Sequence, residues 1–146
     1  MKKSPKILGI IPVRGGSKSI PKKNMKEFLG KPLMAWTIET AQKSGVLDRL
    51  VVSTDDKELA NIARKCGAEV PFMRPAELAT DTTPTLPVLQ HAVSWLKDNE
   101  NYYPDFVLLM EVVCPVRRPH HIREAVKLLT EDKKADSLIT VTEAPG

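Results

Sequence analysis

From Gly9 to Asn24 the chain reads G-I-I-P-V-R-G-G-S-K-S-I-P-K-K-N. Its residue types suit an anion. Gly15 and Gly16 carry no Cβ, so their backbone N–H groups can approach a ligand closely. Successive N–H groups in such a turn form a concave nest for negative charge. Arg14, Lys18 and Lys22 supply cations around it, and Ser17 supplies a hydroxyl. Together these groups fit a triphosphate. The spacing is neither that of a Walker A loop nor that of a dinucleotide-binding G-x-G-x-x-G. The other reading of the same residues is an exposed basic turn.

Charge distribution sharpens the first reading. Residues 1–31 hold nine basic side chains and one acid, Glu27, while the whole chain carries only +4. A concentration of that kind is a candidate site for nucleic acid, phosphates or an acidic membrane, or else a solvated basic surface. Nucleic acid is not expected, because Phe28 is the only aromatic residue among those 31 to stack on bases.

The elements that must position this loop follow from periodicity. Residues 7–13 form a continuous, β-branched apolar run, the pattern of a strand buried on both faces. Met34, Ile38 and Ala41 recur at helical spacing before Gly45, a C-cap residue. Residues 50–53 read as a second strand. Asp55 followed by Glu58 resembles an N-terminal capping box for a helix ending near Cys66. Residues 69–72 read as a short extended piece and 73–84 as a long polar loop, unusual in a compact domain unless it binds something. A helix over 86–96, a strand over 105–110, a helix from Pro119 and a fourth strand over 137–142 complete the pattern.

Alternating strands and helices predict an α/β fold: a mostly parallel sheet flanked by helices. Ligands of such sheets bind beyond the carboxyl ends of the strands. The loops after residues 13, 53, 110 and 142 therefore share one rim, and the basic glycine loop faces a pocket there. With 146 residues, 42% hydrophobic and 27% charged, one globular domain over 1–146 is expected. No apolar run approaches the length of a bilayer span, and Met1-Lys2-Lys3 opens no secretory signal. Two cysteines, Cys66 and Cys114, make no disulfide framework. No membrane partner and a cytoplasmic location are the expectations.

Four motifs carry a resemblance: P-V-R-G-G-S-K-S-I-P-K-K-N (12–24), G-K-P-L-M-A-W-T-I (30–38), V-V-S-T-D-D (51–56) and R-P-A-E-L-A-T-D-T (74–82). Together they resemble the acylneuraminate cytidylyltransferases, nearly end to end. The resemblance implies a Rossmann-like nucleotidyltransferase fold akin to the glycosyltransferase-A enzymes. It implies a reaction in which the anomeric hydroxyl of an acidic nine-carbon sugar attacks the α-phosphorus of CTP, pyrophosphate leaves, and Mg²⁺ assists. Arg14 and Lys22 match positions that handle the triphosphate and the leaving pyrophosphate. Gly15, Gly16, Ser17 and Lys18 would cradle it, and Asn24 matches a nucleotide-contacting asparagine. Arg74 with Leu78, Ala79, Thr80, Asp81 and Thr82 matches the segment around the cytidine. A homodimer is the assembly implied.

Two departures stand out. Where the family carries Gln-Pro-Thr-Ser-Pro-Leu-Arg, this chain has Glu111-Val112-Val113-Cys114-Pro115-Val116-Arg117. Glu111 and Arg117 fall on the sugar side. A glutamine can donate to a sugar carboxylate, whereas an ionised glutamate repels it. The second departure is length: the chain ends where the family continues, so truncation on the carboxyl side is expected. The family's metal-binding aspartates would lie beyond it, and no acidic pair here replaces them. These departures leave two further readings, a CTP-binding remnant without catalysis and a sister nucleotidyltransferase with a different sugar. His120 and His121 point about 100° apart on a helix and make a poor chelate. Cys114 reads as a serine substitute, and Trp36 and Trp95 as packing residues.

Overall fold

The computed structural model describes residues 3–16, 26–112 and 117–141. Its centre is β1 (Ile7–Pro12), whose first five residues are buried. That burial accounts for the unbroken apolar run, because both faces of the strand are covered. After β1 comes a small hairpin, β2 (Glu27–Phe28) and β3 (Lys31–Pro32). Sequence patterning predicts no hairpin there. Its turn places Leu29 and Gly30 at φ 51° and 87°. Trp36 Nε1 donates to the Phe28 carbonyl at 2.6 Å and ties the hairpin to the helix that follows.

That helix, α1 (Leu33–Ser44), stops at Gly45, which adopts the left-handed conformation with φ 70°. It leads into β4 (Arg49–Ser53) and α2 (Lys57–Lys65). A 3₁₀ turn at Ala76–Leu78 lies in the polar loop. Then come α3 (Thr85–Glu100), β5 (Phe106–Leu109) and α4 (Pro119–Glu131). Pro119 takes the first turn of α4 as expected, since its missing N–H has no partner to lose there. The sheet runs β4-β1-β5 and is parallel throughout, with Ile10 opposite both Val51 and Leu109. Glu69 bridges Val51 in parallel on the outer side of β4.

Two apolar layers hold the sheet. On one face Ile11, Val52 and Met110 pack with Met34 and Ile38 of α1, Leu59 of α2 and Ile122 of α4. On the other, Leu8, Ile10 and Val51 pack with Ala92 and Leu96 of α3, with Phe72 and with Tyr102. Trp95 and His91 lie against Phe72 in that second layer. This is the expected α/β architecture. No helix among the described residues is long and apolar enough to cross a membrane.

Two expectations are corrected. Residues 137–141 form no strand. They run past β5 without pairing, and Ile139 and Val141 are 82% and 87% exposed. A β-branched sequence favours extended backbone, but a strand also needs a neighbour for its N–H and C=O groups. Residue 142 lies outside the described residues. The second correction concerns α2. Its N-cap is Asp56, not Asp55: the Asp56 carboxylate accepts from Glu58 N at 2.8 Å and Leu59 N at 3.0 Å. That frees Asp55 for another partner.

Candidate functional site

The carboxyl ends of β1 and β4 meet at the predicted rim. Val13 N donates to the Ser53 carbonyl at 2.9 Å. The ladder thus continues one step past Pro12 and delivers Arg14 and Gly15 beside Thr54, Asp55 and Asp56. Gly15 N then donates to Asp55 Oδ1 at 3.0 Å. A Cβ on Gly15 would sit 2.6 Å from Asp56 Oδ2 and 2.9 Å from Asp56 Cβ. The glycine is required because the loop lies directly on the carboxylate that caps α2. One on Gly16 would find its nearest neighbour at 3.6 Å, an ordinary contact.

A contrast follows from those distances. Gly15→Ala forces Asp56 off its cap or moves the loop, and costs about 1–2 kcal/mol of stability. Gly16→Ala stays within about 0.5 kcal/mol. Urea denaturation of both variants measures the difference, and equal midpoints would contradict the close approach.

The polar loop is bound into the same rim. Arg14 Nη1 donates to Asp81 Oδ1 at 2.6 Å. Arg74 N donates to the Thr54 carbonyl at 2.8 Å. The Arg74 side chain is 6% exposed. Its Nε donates to Ser53 Oγ at 3.0 Å, Nη2 to the Ser53 carbonyl at 2.6 Å, and Nη1 to the Leu78 carbonyl at 3.3 Å. Burial draws the Arg74 guanidinium below its usual range. The Asp55 carboxylate works against that shift, and the Arg14 cation adds to it. These couplings place three charged groups together behind the loop. Beyond Leu78, Thr80 Oγ1 and Thr83 Oγ1 share a hydrogen bond at 2.6 Å, while Asp81 and Thr82 are exposed.

The structure therefore brings Arg14, Gly15, Arg74, Ala79, Thr80, Asp81 and Thr82 to one rim and adds Asp55. The sequence signal for Asp55 is present in the Asp55-Asp56 pair: one helix start uses one cap, which leaves the neighbouring carboxylate for a second role. Arg74 sits at the rim, but its three nitrogens bond Ser53 and Leu78, so it braces the loop expected around the cytidine. Glu111 follows β5 at the same end of the sheet and is exposed. Glu111 and Arg117 line a groove of about 750 Å³ along β5. Ser17, Lys18, Lys22, Asn24 and Cys114 lie outside the described residues.

Three carboxylates lie around Arg14 and Gly15: Asp55, Asp56 and Asp81. Each faces a protein donor, and no group of three or more His, Cys, Asp or Glu among the described residues could hold a metal ion. The described residues do not make a complete Mg²⁺ site. His121 serves the helix start: its Nδ1 accepts from Arg118 N at 3.1 Å at the beginning of α4. The Cys66 thiol is pushed up by burial, with Glu39 adding to the shift, which makes it a poor nucleophile.

Comparisons with known proteins point to one family. The chain is 38% identical over 128 residues to a pseudaminic acid cytidylyltransferase of Campylobacter jejuni, covering 88% of this chain and 55% of that protein. It is 40% identical over 123 residues to a CMP-N,N'-diacetyllegionaminic acid synthase of Legionella pneumophila, covering 84% and 53%. It is 37% identical over 139 residues to an N-acylneuraminate cytidylyltransferase of Escherichia coli, covering 95% and 32%. The chain thus spans about half the length of the first two relatives and a third of the last. Among solved structures, a CMP-2-keto-3-deoxy-manno-octonic acid synthetase complexed with CTP shares the fold. Its TM-score is 0.71 at 21% identity, over 87% of this chain and 48% of that one. A 4-diphosphocytidyl-2C-methyl-D-erythritol synthase follows at TM-score 0.65 and 14% identity, over 92% and 57%. Residues 8–113 match the family described as Cytidylyltransferase, and the chain belongs to that family.

Proposed function

We propose that this chain carries the CTP-binding part of an enzyme that transfers CMP to an acidic nine-carbon sugar and releases pyrophosphate. The observation that carries the reading is the cluster of Arg14, the Gly15 N–H, Asp55 and Asp81 at the carboxyl ends of β1 and β4. The anion-seeking groups there hold carboxylates. A phosphate oxygen presents the same charge and lone pairs, so a triphosphate competes for Arg14 against Asp81 and for the Gly15 N–H against Asp55. Ser17, Lys18 and Lys22 belong to the same loop and are assigned to the phosphates with it. Asn24 is assigned to the nucleotide. The Arg74 brace holds Leu78–Thr82 over the rim, where backbone groups can read a pyrimidine edge. The names of the relatives support an acidic nonulosonic sugar as acceptor.

Phosphoryl transfer of this kind depends on positioning and charge stabilisation more than on covalent help from the protein. Mg²⁺ is a cofactor of this reading by family. Thermal unfolding with CTP, UTP and ATP tests it. At a hundred times its dissociation constant CTP stabilises the chain by about 2.7 kcal/mol, a rise of about 8 °C at this chain length. The same shift with all three nucleotides, or none with CTP, overturns the reading.

Glu111 bears on the acceptor. Like charges at about 4 Å repel by about 4 kcal/mol at an effective dielectric near 20. Glu111→Gln is expected to raise use of sialic, pseudaminic or legionaminic acid, read as pyrophosphate release over a sugar panel. A flat panel in that variant would mean that this charge does not limit the reaction.

A further inference from the structure

The rim holds two kinds of contact. Some cannot exchange. The Arg74 side chain is buried on Ser53 and Leu78, and the Asp56 carboxylate caps α2 through two amides. Releasing either leaves buried acceptors without a donor or uncaps a helix. Two other contacts lie open to water. Asp81 holds Arg14 Nη1 at 2.6 Å with both side chains about one-third exposed. Asp55, itself exposed, accepts from Gly15 N at 3.0 Å. Solvent screens contacts of this kind, so each is weak and readily replaced. Both exchangeable contacts fall on groups that attract anions, a guanidinium and a loop amide. Each is covered from a different loop: Asp55 reaches Gly15 from the end of β4, and Asp81 reaches Arg14 from the segment beyond Leu78.

We propose that Asp55 and Asp81 are built-in competitors for the phosphate positions, and that they set how readily pyrophosphate leaves. The role rests on the cytidylyltransferase reading above, in which CTP gives up pyrophosphate at this loop. Binding is then an exchange. The triphosphate takes Arg14 from Asp81 and the Gly15 N–H from Asp55, and both freed carboxylates stay tethered beside the groups they left. Tethering gives each a high effective concentration for return. Asp56 adds a charge that cannot withdraw, because its cap fixes it, and a Cβ on Gly15 would lie 2.6 Å from its Oδ2. The competition acts on substrate and product alike. CTP has the cytidine segment to hold it besides, whereas pyrophosphate has phosphate contacts alone. Pyrophosphate is therefore the ligand that the returning carboxylates expel.

Asp55→Asn and Asp81→Asn test this, since each keeps an oxygen acceptor in place and removes its charge. Calorimetry at about 0.15 M salt compares sodium pyrophosphate and CMP on the variants and the parent chain. Each variant is expected to bind pyrophosphate about tenfold more tightly, the difference between a charge-assisted and a neutral hydrogen bond. CMP lacks the β- and γ-phosphates and is expected to change less than about twofold. Glu58→Gln removes an exposed charge at the start of α2 and is also expected to change pyrophosphate binding less than about twofold. Unchanged or weaker pyrophosphate binding in Asp55→Asn or in Asp81→Asn overturns the proposal. Weaker binding would mean that the carboxylate orients the loop to receive phosphate. Equal tightening in Glu58→Gln overturns it as well, because general charge would then account for the effect. Thermal unfolding of the parent chain with CTP, UTP and ATP is a separate readout. Selective CTP stabilisation without tightening would overturn the competitor role alone, and tightening without CTP selectivity would overturn the nucleotide reading alone.

Discussion

Replacing Arg14 with alanine is expected to weaken CTP binding about tenfold to a hundredfold and to leave binding of free cytidine almost unaffected. The range follows from a hydrogen bond to a charged group, about 1.5–3 kcal/mol, converted at about 1.4 kcal/mol per decade. Arg14 leaves β1 at the rim and already holds a carboxylate, Asp81, at 2.6 Å. Both partners are about one-third exposed, so solvent screens the pair and it contributes little to folding. A triphosphate brings several charges and displaces one. The same substitution also cuts the tie between the β1 loop and the Asp81 loop, and that offers a second explanation for any loss. Asp81→Asn separates the two. It keeps a side-chain oxygen for Arg14 and removes the competing charge, so CTP affinity is expected to hold or rise. Calorimetry with CTP, CMP and cytidine reads both variants. Equal loss of cytidine and CTP in Arg14→Ala would contradict the phosphate assignment. A matching loss in Asp81→Asn would make Arg14 a tether for the loop.

What is legible in the sequence, and what is not, divides along physical lines. β1, α1, α2, α3, β5 and α4 are readable because burial imposes a period on apolar residues, and Gly45 and Pro119 mark helix ends through backbone geometry alone. The convergence of residues 14–15 with 54–56 follows from strand order, since parallel neighbours deliver their carboxyl ends to one rim. Besides the β2–β3 hairpin, three features are not readable. The shift of the cap from Asp55 to Asp56 is a one-residue difference between two identical side chains, decided by how closely Gly15 approaches. Arg74 is placed beside the cytidine by the family resemblance, through the R-P-A-E-L-A-T-D-T motif. Nothing local says that its guanidinium is surrounded by Ser53 and Leu78. Residues 137–141 have strand character, but pairing is a property of the neighbour, and β5 does not provide it.

The Arg74 brace makes the largest stability prediction. Arg74→Ala is expected to cost about 3–5 kcal/mol and lower the melting temperature by roughly 10 °C or more. Ser53 is fully buried, and its hydroxyl and carbonyl both accept from Arg74. Without the guanidinium the buried Ser53 hydroxyl and the part-buried Leu78 carbonyl lose this donor, the Ser53 carbonyl keeps only Val13 N, and the space the buried side chain fills is left empty. An unsatisfied buried polar group costs about 1–3 kcal/mol, and a domain of this kind has only about 5–15 kcal/mol in total. Lysine is not an adequate substitute, because one ammonium cannot reach three acceptors spread around a planar fork. Arg74→Lys should therefore recover less than half of the loss. Urea unfolding at constant slope measures both variants. The alternative role, direct contact with the cytosine, makes the opposite prediction: stability changes by less than about 0.5 kcal/mol while discrimination of CTP over UTP collapses. The brace explains why a charged residue sits in the core behind the site. It connects the end of β4 to the turn at Leu78, and through that turn it sets where Asp81 meets Arg14.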